Sequence, residues 1–204
     1  MFITDSTMWK ALSDYAKNLG TPDKMIDKAK GDYDELLEKY SKTRRSVNSK
    51  YSSKKIDTSL SMQIFYPWFA NIFCFFQLIM SGFRHTMLRE LRFNLEASVR
   101  GYYIDTHYPE KEYKSRVSKL KIVRKNFFGN LIVSLPLDKQ KEINGFYKEL
   151  CDYVHLSETI QEDALGDFLM NLALTHPYYK EDLRMLKKTL DLNQYLLMKS
   201  LEEN

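Results

Sequence analysis

Residues that form tight turns are scarce in this chain, which has seven glycines and five prolines among 204 residues. Their combined share is roughly half of the ~12% that is usual in globular proteins. Sandwiches, barrels and loop-rich disulfide scaffolds need many more turns than this composition provides. The composition therefore predicts long helices joined by few connections, and it indicates no particular reaction.

Apolar residues recur at spacings of three and four, the period of a helix face. The second predicted helix carries a heptad-like seam, which suits packing against a helix of the same chain or of a partner. The seam residues are Ile26, Ala29, Tyr33, Leu36, Tyr40 and Val47. We predict an all-α multi-helix bundle of about seven to eight helices that opens with an N-terminal helical hairpin. Residues 1–55 form the hairpin and a basic linker, and residues 56–204 form the main bundle.

The charge-free stretch from Thr58 to Phe83 is long enough to cross a membrane. Its polar residues recur at spacings of three or four and form one stripe on a helix: Gln63, Pro67, Asn71, Cys74, Gln77 and Ser81. Unpaired amides facing lipid are costly, whereas a central bundle helix can pair them with its neighbours. We therefore favour a buried helix, with membrane association through 58–83 as an alternative.

The two cysteines indicate a reducing compartment. Cys74 and Cys151 both lie in apolar stretches, where a thiol behaves as a small buried hydrophobic group. Two cysteines are too few for a disulfide framework, and the first residues lack the pattern of a secretory signal. We expect a cytoplasmic protein. Its net charge of +4 permits contact with nucleic acid or a membrane surface without requiring either.

Two stretches of the sequence concentrate positive charge. Residues 41–55 contain no acid, and residues 111–125 form a predicted helix in which Glu112 is the single acid. Each stretch is typical either of a solvated helix surface or of a contact with nucleic-acid phosphates. The candidate contacts with RNA or DNA are Lys42, Arg44, Arg45, Lys114, Lys121 and Lys125.

Motifs of the common enzyme classes are absent from the sequence. It has no glycine-rich phosphate loop, paired-cysteine zinc motif, His-Glu-x-x-His or nucleophile elbow. Asp152 and His155 share a predicted helix face and would need Glu96 or Asp105 from another helix to complete a metal site. The second Glu-x-x-His helix of such sites is missing. We predict no metal and no cofactor.

Charged residues at three- and four-residue spacing predict a salt-bridged ladder of Arg92, Glu96 and Arg100 on one helix. A buried ladder would specify how helices dock, whereas a ladder that lines a cleft would accept an anion. We favour docking.

Arg100 and His107 are separated by six residues, about two helical turns near a helix end. This spacing resembles the Arg-x4–6-His motif of HEPN ribonucleases, which are all-α bundles that act as dimers. The resemblance implies that Arg100 would stabilise the scissile phosphate and that His107 would support proton transfer with the RNA 2′-hydroxyl. Gly101 departs from the usual pattern, in which Asn or Asp often follows the arginine. The alternative is a capping or surface histidine.

Residues 81–96, 102–105 and 108–109, with the later segment 146–157, look like a group of uncharacterised prokaryotic helical proteins. That group is similar to HEPN-like bundles in general terms. The resemblance implies a helical fold and no established activity.

The leading functional prediction is a non-enzymatic intracellular protein that binds a protein partner or forms a homodimer, with nucleic acid as a further partner. Its contact surfaces would be the Ile26–Val47 seam and the basic stretches. A metal-independent HEPN-type ribonuclease using Arg100 and His107 is the alternative, and membrane association is the second alternative.

Overall fold

The computed structural model describes residues 5–18, 20–81, 83–109, 112–123, 128–154 and 178–203. Within these ranges every regular element is helical and none is a strand, which confirms the predicted all-α multi-helix bundle. The α-helices are α1 (Asp5–Asn18), α2 (Asp23–Lys50), α3 (Ser53–Thr58), α4 (Leu60–Phe65), α5 (Trp68–Met80), α6 (Arg84–His107), α7 (Tyr113–Val123), α8 (Leu137–Val154) and α9 (Tyr179–Glu203). A 3-10 helix over Phe128–Ile132 lies between α7 and α8.

The hairpin of α1 and α2 turns at a glycine. Gly20 has a φ of 79°, in the left-handed region that glycine adopts without strain. The amides of Gly20 and Thr21 donate to the carbonyls of Lys17 and Ala16 at 2.9 and 3.0 Å, which caps the end of α1. Because α2 continues to Lys50, the stretch predicted as a basic linker is helical over most of its length.

The seam of α2 is buried inside the chain. Tyr33 and Val47 have no exposed surface, and no other seam residue is more than 3% exposed. The Tyr33 ring lies 5.3 Å from the ring of Trp9 in α1 and 5.3 Å from that of Phe76 in α5, between ring centroids. The hairpin therefore shares one hydrophobic core with the rest of the described chain. The seam, predicted as a contact surface, is not open to a partner in this packing.

The described part of the charge-free stretch after Thr58 forms two helices, α4 and α5, where the sequence predicted one. The chain breaks at Tyr66 and Pro67 because proline lacks the N–H that a continuing helix needs. The predicted polar stripe faces outward, with Pro67, Cys74 and Gln77 exposed. The core side of the pair consists of Phe65, Ile72, Phe76 and Ile79. The expectation of a buried Cys74 thiol is therefore wrong. Two other residues of the stripe pair with neighbouring helices, as expected for a helix packed in a bundle: Asn71 donates to Asn94 of α6, and Ser81 pairs with Tyr15 of α1.

One stretch of the described residues, Leu60–Met80, is long and apolar enough to span a membrane by length and composition. It has 21 residues and a mean hydropathy of 1.3, and 39% of the window that defines it is buried. The core helices of soluble proteins meet the same criterion. Membrane association through this stretch remains a prediction.

The centre of the bundle is α6, whose 24 residues span about 36 Å. The 3-10 helix and α4, α5, α7, α8 and α9 all pack against it. At the crossing with α4, a Cβ atom on Gly101 would lie 2.8 Å from Cδ1 of Ile64 and 3.3 Å from the backbone nitrogen of Ser61. Glycine thus permits the close approach of the two helices. Three charged residues of α6 are buried: Arg84, Glu96 and Asp105.

The first turn of α6 is joined to α9 by a buried ion pair. Arg84 Nε lies 2.7 Å from Asp182 Oδ1, and the two side chains are 5% and 1% exposed. The guanidinium also lies over the rings of Tyr153 and Tyr178, at 4.7 and 4.3 Å from their centroids. Burial of these charges is tolerated because each has a partner of opposite charge or a ring face. The pair holds the beginnings of α6 and α9 against the end of α8.

A second buried carboxylate, Asp105, fixes the junction of α4, α6 and α7. It accepts hydrogen bonds from the backbone N–H groups of Leu60 and Ser61, each at 2.9 Å, and from Ser59 Oγ at 2.8 Å. These donors lie at the N-terminus of α4, where N–H groups without helical partners favour an anion. Arg116 of α7, itself buried, donates from Nη1 to the same carboxylate at 3.0 Å.

We expect Asp105→Ala to lower the free energy of unfolding by about 3–5 kcal/mol, because it leaves Arg116 as a buried charge without its carboxylate. Urea unfolding followed by the helical circular dichroism signal measures the change. Asp57→Ala, at an exposed position of α3, is the control and should change stability by at most about 0.5 kcal/mol. A loss at Asp105 no larger than that of the control would contradict the role of this carboxylate.

Candidate nucleic-acid interface

Two stretches that are distant in the sequence meet at one end of the bundle. We call residues 41–55 and 113–123 together the basic end. The first stretch runs through the last turns of α2 into α3, α3 packs against α4, and α4 packs against α7. One cleft is lined by Lys54 and Lys55 from the first stretch and by Arg116 from the second. The fold therefore joins the two basic stretches into one surface.

The excess of positive over negative charge lies at the basic end. Its two stretches contain ten lysines and arginines and no aspartate or glutamate. Because the whole chain has a net charge of +4, the remainder of the chain carries more acids than bases. Such a concentration of cations on one side of a domain is the electrostatic pattern of surfaces that bind nucleic acid.

Five of the six predicted nucleic-acid contacts are described, and all five side chains are exposed: Lys42, Arg44, Arg45, Lys114 and Lys121. Lys125 lies outside the described residues. Lys42 Nζ pairs with Glu38 Oε1 at 2.9 Å, and the hydrogen bond from Lys42 lowers the pKa of Glu38. An exposed pair of this kind is weak and exchanges readily with another anion.

Several cations of the basic end lie over tyrosine rings in cation–π contacts. The Arg44 guanidinium lies 5.6 Å from the centroid of the Tyr66 ring. Lys55 lies over Tyr51 and Lys119 over Tyr108, each at 5.3 Å. Tyr51 and Lys55 are four residues apart in the sequence, the spacing of neighbours on one helix face. The other two pairs join separate elements: Arg44 of α2 meets Tyr66 between α4 and α5, and Lys119 of α7 meets Tyr108 after α6. Sequence spacing does not predict the Arg44–Tyr66 and Lys119–Tyr108 pairs, because each forms only when separate elements pack together.

The rotation of α7 leaves several of its apolar side chains facing solvent. Its buried residues are Arg116 and Val123, whereas Tyr113, Val117 and Ile122 are 40%, 38% and 59% exposed. An apolar face would normally turn toward the core, but the ion pair of Arg116 with Asp105 fixes this helix in a different rotation. The basic end therefore presents apolar side chains beside its cations.

Arg100 and His107 lie seven residues apart on α6, about 10 Å along its axis. Arg100 donates from Nη2 to Glu96 Oε2 at 2.9 Å. The exposed His107 ring stacks on Tyr103 at 4.0 Å between centroids, and its Nδ1 lies 2.9 Å from the Tyr103 carbonyl oxygen. A carbonyl only accepts, so this contact is a hydrogen bond in the tautomer whose Nδ1 carries the proton; Thr106 Oγ1 also lies 3.0 Å from Nδ1. The catalytic role of the pair stays a prediction.

The predicted ladder on α6 is confirmed. Glu96 accepts from Arg92 Nε at 3.1 Å and from Arg100 Nη2 at 2.9 Å. Tyr147 of α8 donates its hydroxyl to Glu96 Oε1 at 2.9 Å, and the Tyr147 ring stacks on Phe128 at 3.9 Å between centroids. The ladder therefore binds α8 and the 3-10 helix to α6, in agreement with a docking role.

Folding shifts the pKa of Glu96 in the ladder and the pKa of its hydrogen-bond partner Tyr147. Burial alone would raise the pKa of Glu96, but hydrogen bonds from Tyr147 and Arg92 and the charges of both arginines hold it below its usual value. Burial and the hydrogen bond to Glu96 raise the pKa of Tyr147. Glu96 is thus ionised and Tyr147 neutral at neutral pH.

Two of the four residues considered for a metal site, Glu96 and Asp105, have other partners. Asp105 is bound by α4 and Arg116, Glu96 belongs to the ladder, and His155 lies outside the described residues. In the part of the chain that the structure describes, no group of three or more His, Cys, Asp and Glu side chains could hold a metal ion.

Comparison of the chain with protein-family models, with curated proteins and with solved structures finds no match in any of the three. The likeness to HEPN ribonucleases and to the prokaryotic helical group therefore remains a prediction from the sequence.

We expect Tyr147→Phe to lower the free energy of unfolding at pH 7 by about 1.5–3 kcal/mol, because Glu96 loses a hydrogen bond made to its charged form. A group whose pKa is lowered by folding stabilises the protein above its unfolded pKa and loses that contribution as the pH falls through its folded pKa. The difference between the variant and the wild type should therefore shrink in acid. Urea unfolding at a series of pH values measures it, and a difference that is constant with pH would contradict the assignment.

Proposed function

We propose that this protein is a non-enzymatic helical binding protein of the cytoplasm that holds nucleic acid at its basic end, alone or together with a protein partner. The observation that carries the proposal is the convergence of the two acid-free stretches on one end of the bundle. With the α2 seam buried, the basic end is the predicted contact surface that is still exposed.

The spacing of the cations suits a phosphate backbone. From Lys42 to Lys50 the exposed part of α2 extends about 12 Å, and a nucleic-acid strand carries a phosphate every ~3.4 Å in B-form. Lysine and arginine contacts of this type position a strand without reading its sequence. We therefore expect binding with little sequence preference and a strong dependence on salt.

An acidic protein is the second candidate partner, and a specific observation favours it. Tyr113 and Val117 are exposed on α7 beside Lys114 and Lys121. Apolar side chains next to cations suit a partner surface that combines carboxylates with apolar groups. A second copy of the chain could also supply such a surface through its net acidic remainder, which would give a homodimer.

We expect the variant Arg45→Gln, Lys114→Gln, Lys121→Gln to bind single-stranded RNA of about 20 nucleotides less tightly than the wild type. Removing one cation that touches a phosphate should weaken binding about fivefold at ~0.1 M salt and reduce the slope of log K against log salt by about 0.7. Fluorescence anisotropy between about 50 and 200 mM salt measures both effects.

The matched control removes the same amount of charge elsewhere: Lys10→Gln, Lys24→Gln and Lys148→Gln, all at exposed positions. Equal weakening by the two variants would contradict a localised interface. If RNA does not bind, and an acidic apolar peptide binds the wild type but not the first variant, the acidic protein is the partner.

The ribonuclease alternative gives a separate prediction. As a binding protein, the wild type should leave end-labelled RNA intact in the presence of a chelator. Cleavage by the wild type that is lost in His107→Ala and kept in His85→Gln, at the far end of α6, would establish the alternative instead.

A further inference from the structure

The cleft at the basic end is small and has an unusual lining. Its volume is about 220 Å³, and it lies between α3, the turn after α6, α7 and the end of α9. Three of its lining residues are the cations Lys54, Lys55 and Arg116, and none of the described lining residues is a carboxylate. Three more carry hydroxyl groups: Ser52, Thr58 and Ser59. The Thr58 hydroxyl donates to the backbone of α3 and the Ser59 hydroxyl to Asp105, so the positive charge of the lining comes from its cations. The remaining walls are Pro109 and Leu201. This lining is chemically suited to an anion with several acceptor oxygens.

We infer that this cleft binds a single phosphate group of the nucleic acid held at the basic end. The inference rests on the proposed function and names the ligand group for which one part of that surface is built. Pockets for whole small molecules usually exceed about 300 Å³, so a cleft of this size suits one group rather than a nucleotide. Its place between the two basic stretches puts it on the path of a strand that contacts both.

The floor of the cleft is preorganised. Arg116 is 5% exposed, and its Nη1 and Nη2 groups are held by the Asp105 carboxylate and the Pro109 carbonyl. A guanidinium fixed in this way presents its charge without the loss of side-chain freedom that a mobile lysine would incur. Lys54, exposed at the rim, can close on an entering anion.

The carboxylates around the cleft do not oppose an anion strongly. Asp105 lies behind Arg116, and its charge is shared among the donors of α4 and the arginine. Glu202 follows the lining residue Leu201 and is paired with Lys199 at 3.3 Å. Asp57 belongs to α3 but is not part of the lining. The local charge inside the cleft is therefore positive.

Inorganic phosphate is the direct probe. Calorimetric titration at constant ionic strength should detect binding to the wild type and at least about tenfold weaker binding to Lys54→Gln, since a charge-assisted hydrogen bond is lost. Lys54→Arg should restore much of the affinity. Lys24→Gln, which removes the same charge at the beginning of α2, outside the cleft, should bind like the wild type. No phosphate binding, or equal weakening by Lys54→Gln and Lys24→Gln, would overturn the inference.

RNA with and without a 5′-phosphate identifies the source of the group. Weaker binding of the 5′-hydroxyl strand, with that difference lost in Lys54→Gln, assigns the strand end to the cleft. Equal binding of both strands, with competition by phosphate in the wild type only, assigns an internal phosphate. RNA that binds without any effect of phosphate or of Lys54→Gln overturns the cleft and leaves the proposed function intact. Phosphate binding without RNA binding keeps the cleft as an anion site but overturns both its assignment to nucleic acid and the proposed function.

Discussion

The Asp105 carboxylate determines how the basic end is assembled. It lies without exposed surface among Ser59, Leu60, Ser61 and Arg116, each of which gives it a hydrogen bond. A buried carboxylate is tolerated only where donors replace the water it has lost. By binding the beginning of α4 and the middle of α7 at once, this single group brings the end of the first basic stretch next to the second.

Aromatic rings also help to position the basic end. The cations Arg44, Lys55 and Lys119 lie over tyrosine rings, while Arg116 is paired with the buried Asp105. A ring face attracts a cation without neutralising it. The basic end is therefore held in position by aromatic and backbone groups while its field still extends into solvent.

Much of the fold follows from local rules. Periodic apolar residues predicted the helices, and the four-residue spacing of Arg92, Glu96 and Arg100 predicted a ladder that needs no tertiary information. The rotation of α7 was not predictable in this way, because it depends on Arg116 meeting a carboxylate on a different helix. The meeting of residues 41–55 with 113–123 likewise depends on how α3 and α4 pack, and no pattern within either stretch encodes it.

The hydrogen bond from Arg100 to Glu96 sets a free-energy cost on any catalytic role for this arginine. A catalytic arginine must turn its donors toward a phosphate in the transition state, and Arg100 gives Nη2 to Glu96, which is also bound by Arg92 and Tyr147. Releasing Arg100 would remove one of the two cations that keep Glu96 ionised in a buried site and would loosen the attachment of α8. Lys114 and Lys121 face no such cost, because their side chains are exposed to solvent. The exposed lysines of α7 would therefore meet an incoming phosphate at a lower cost than Arg100 would.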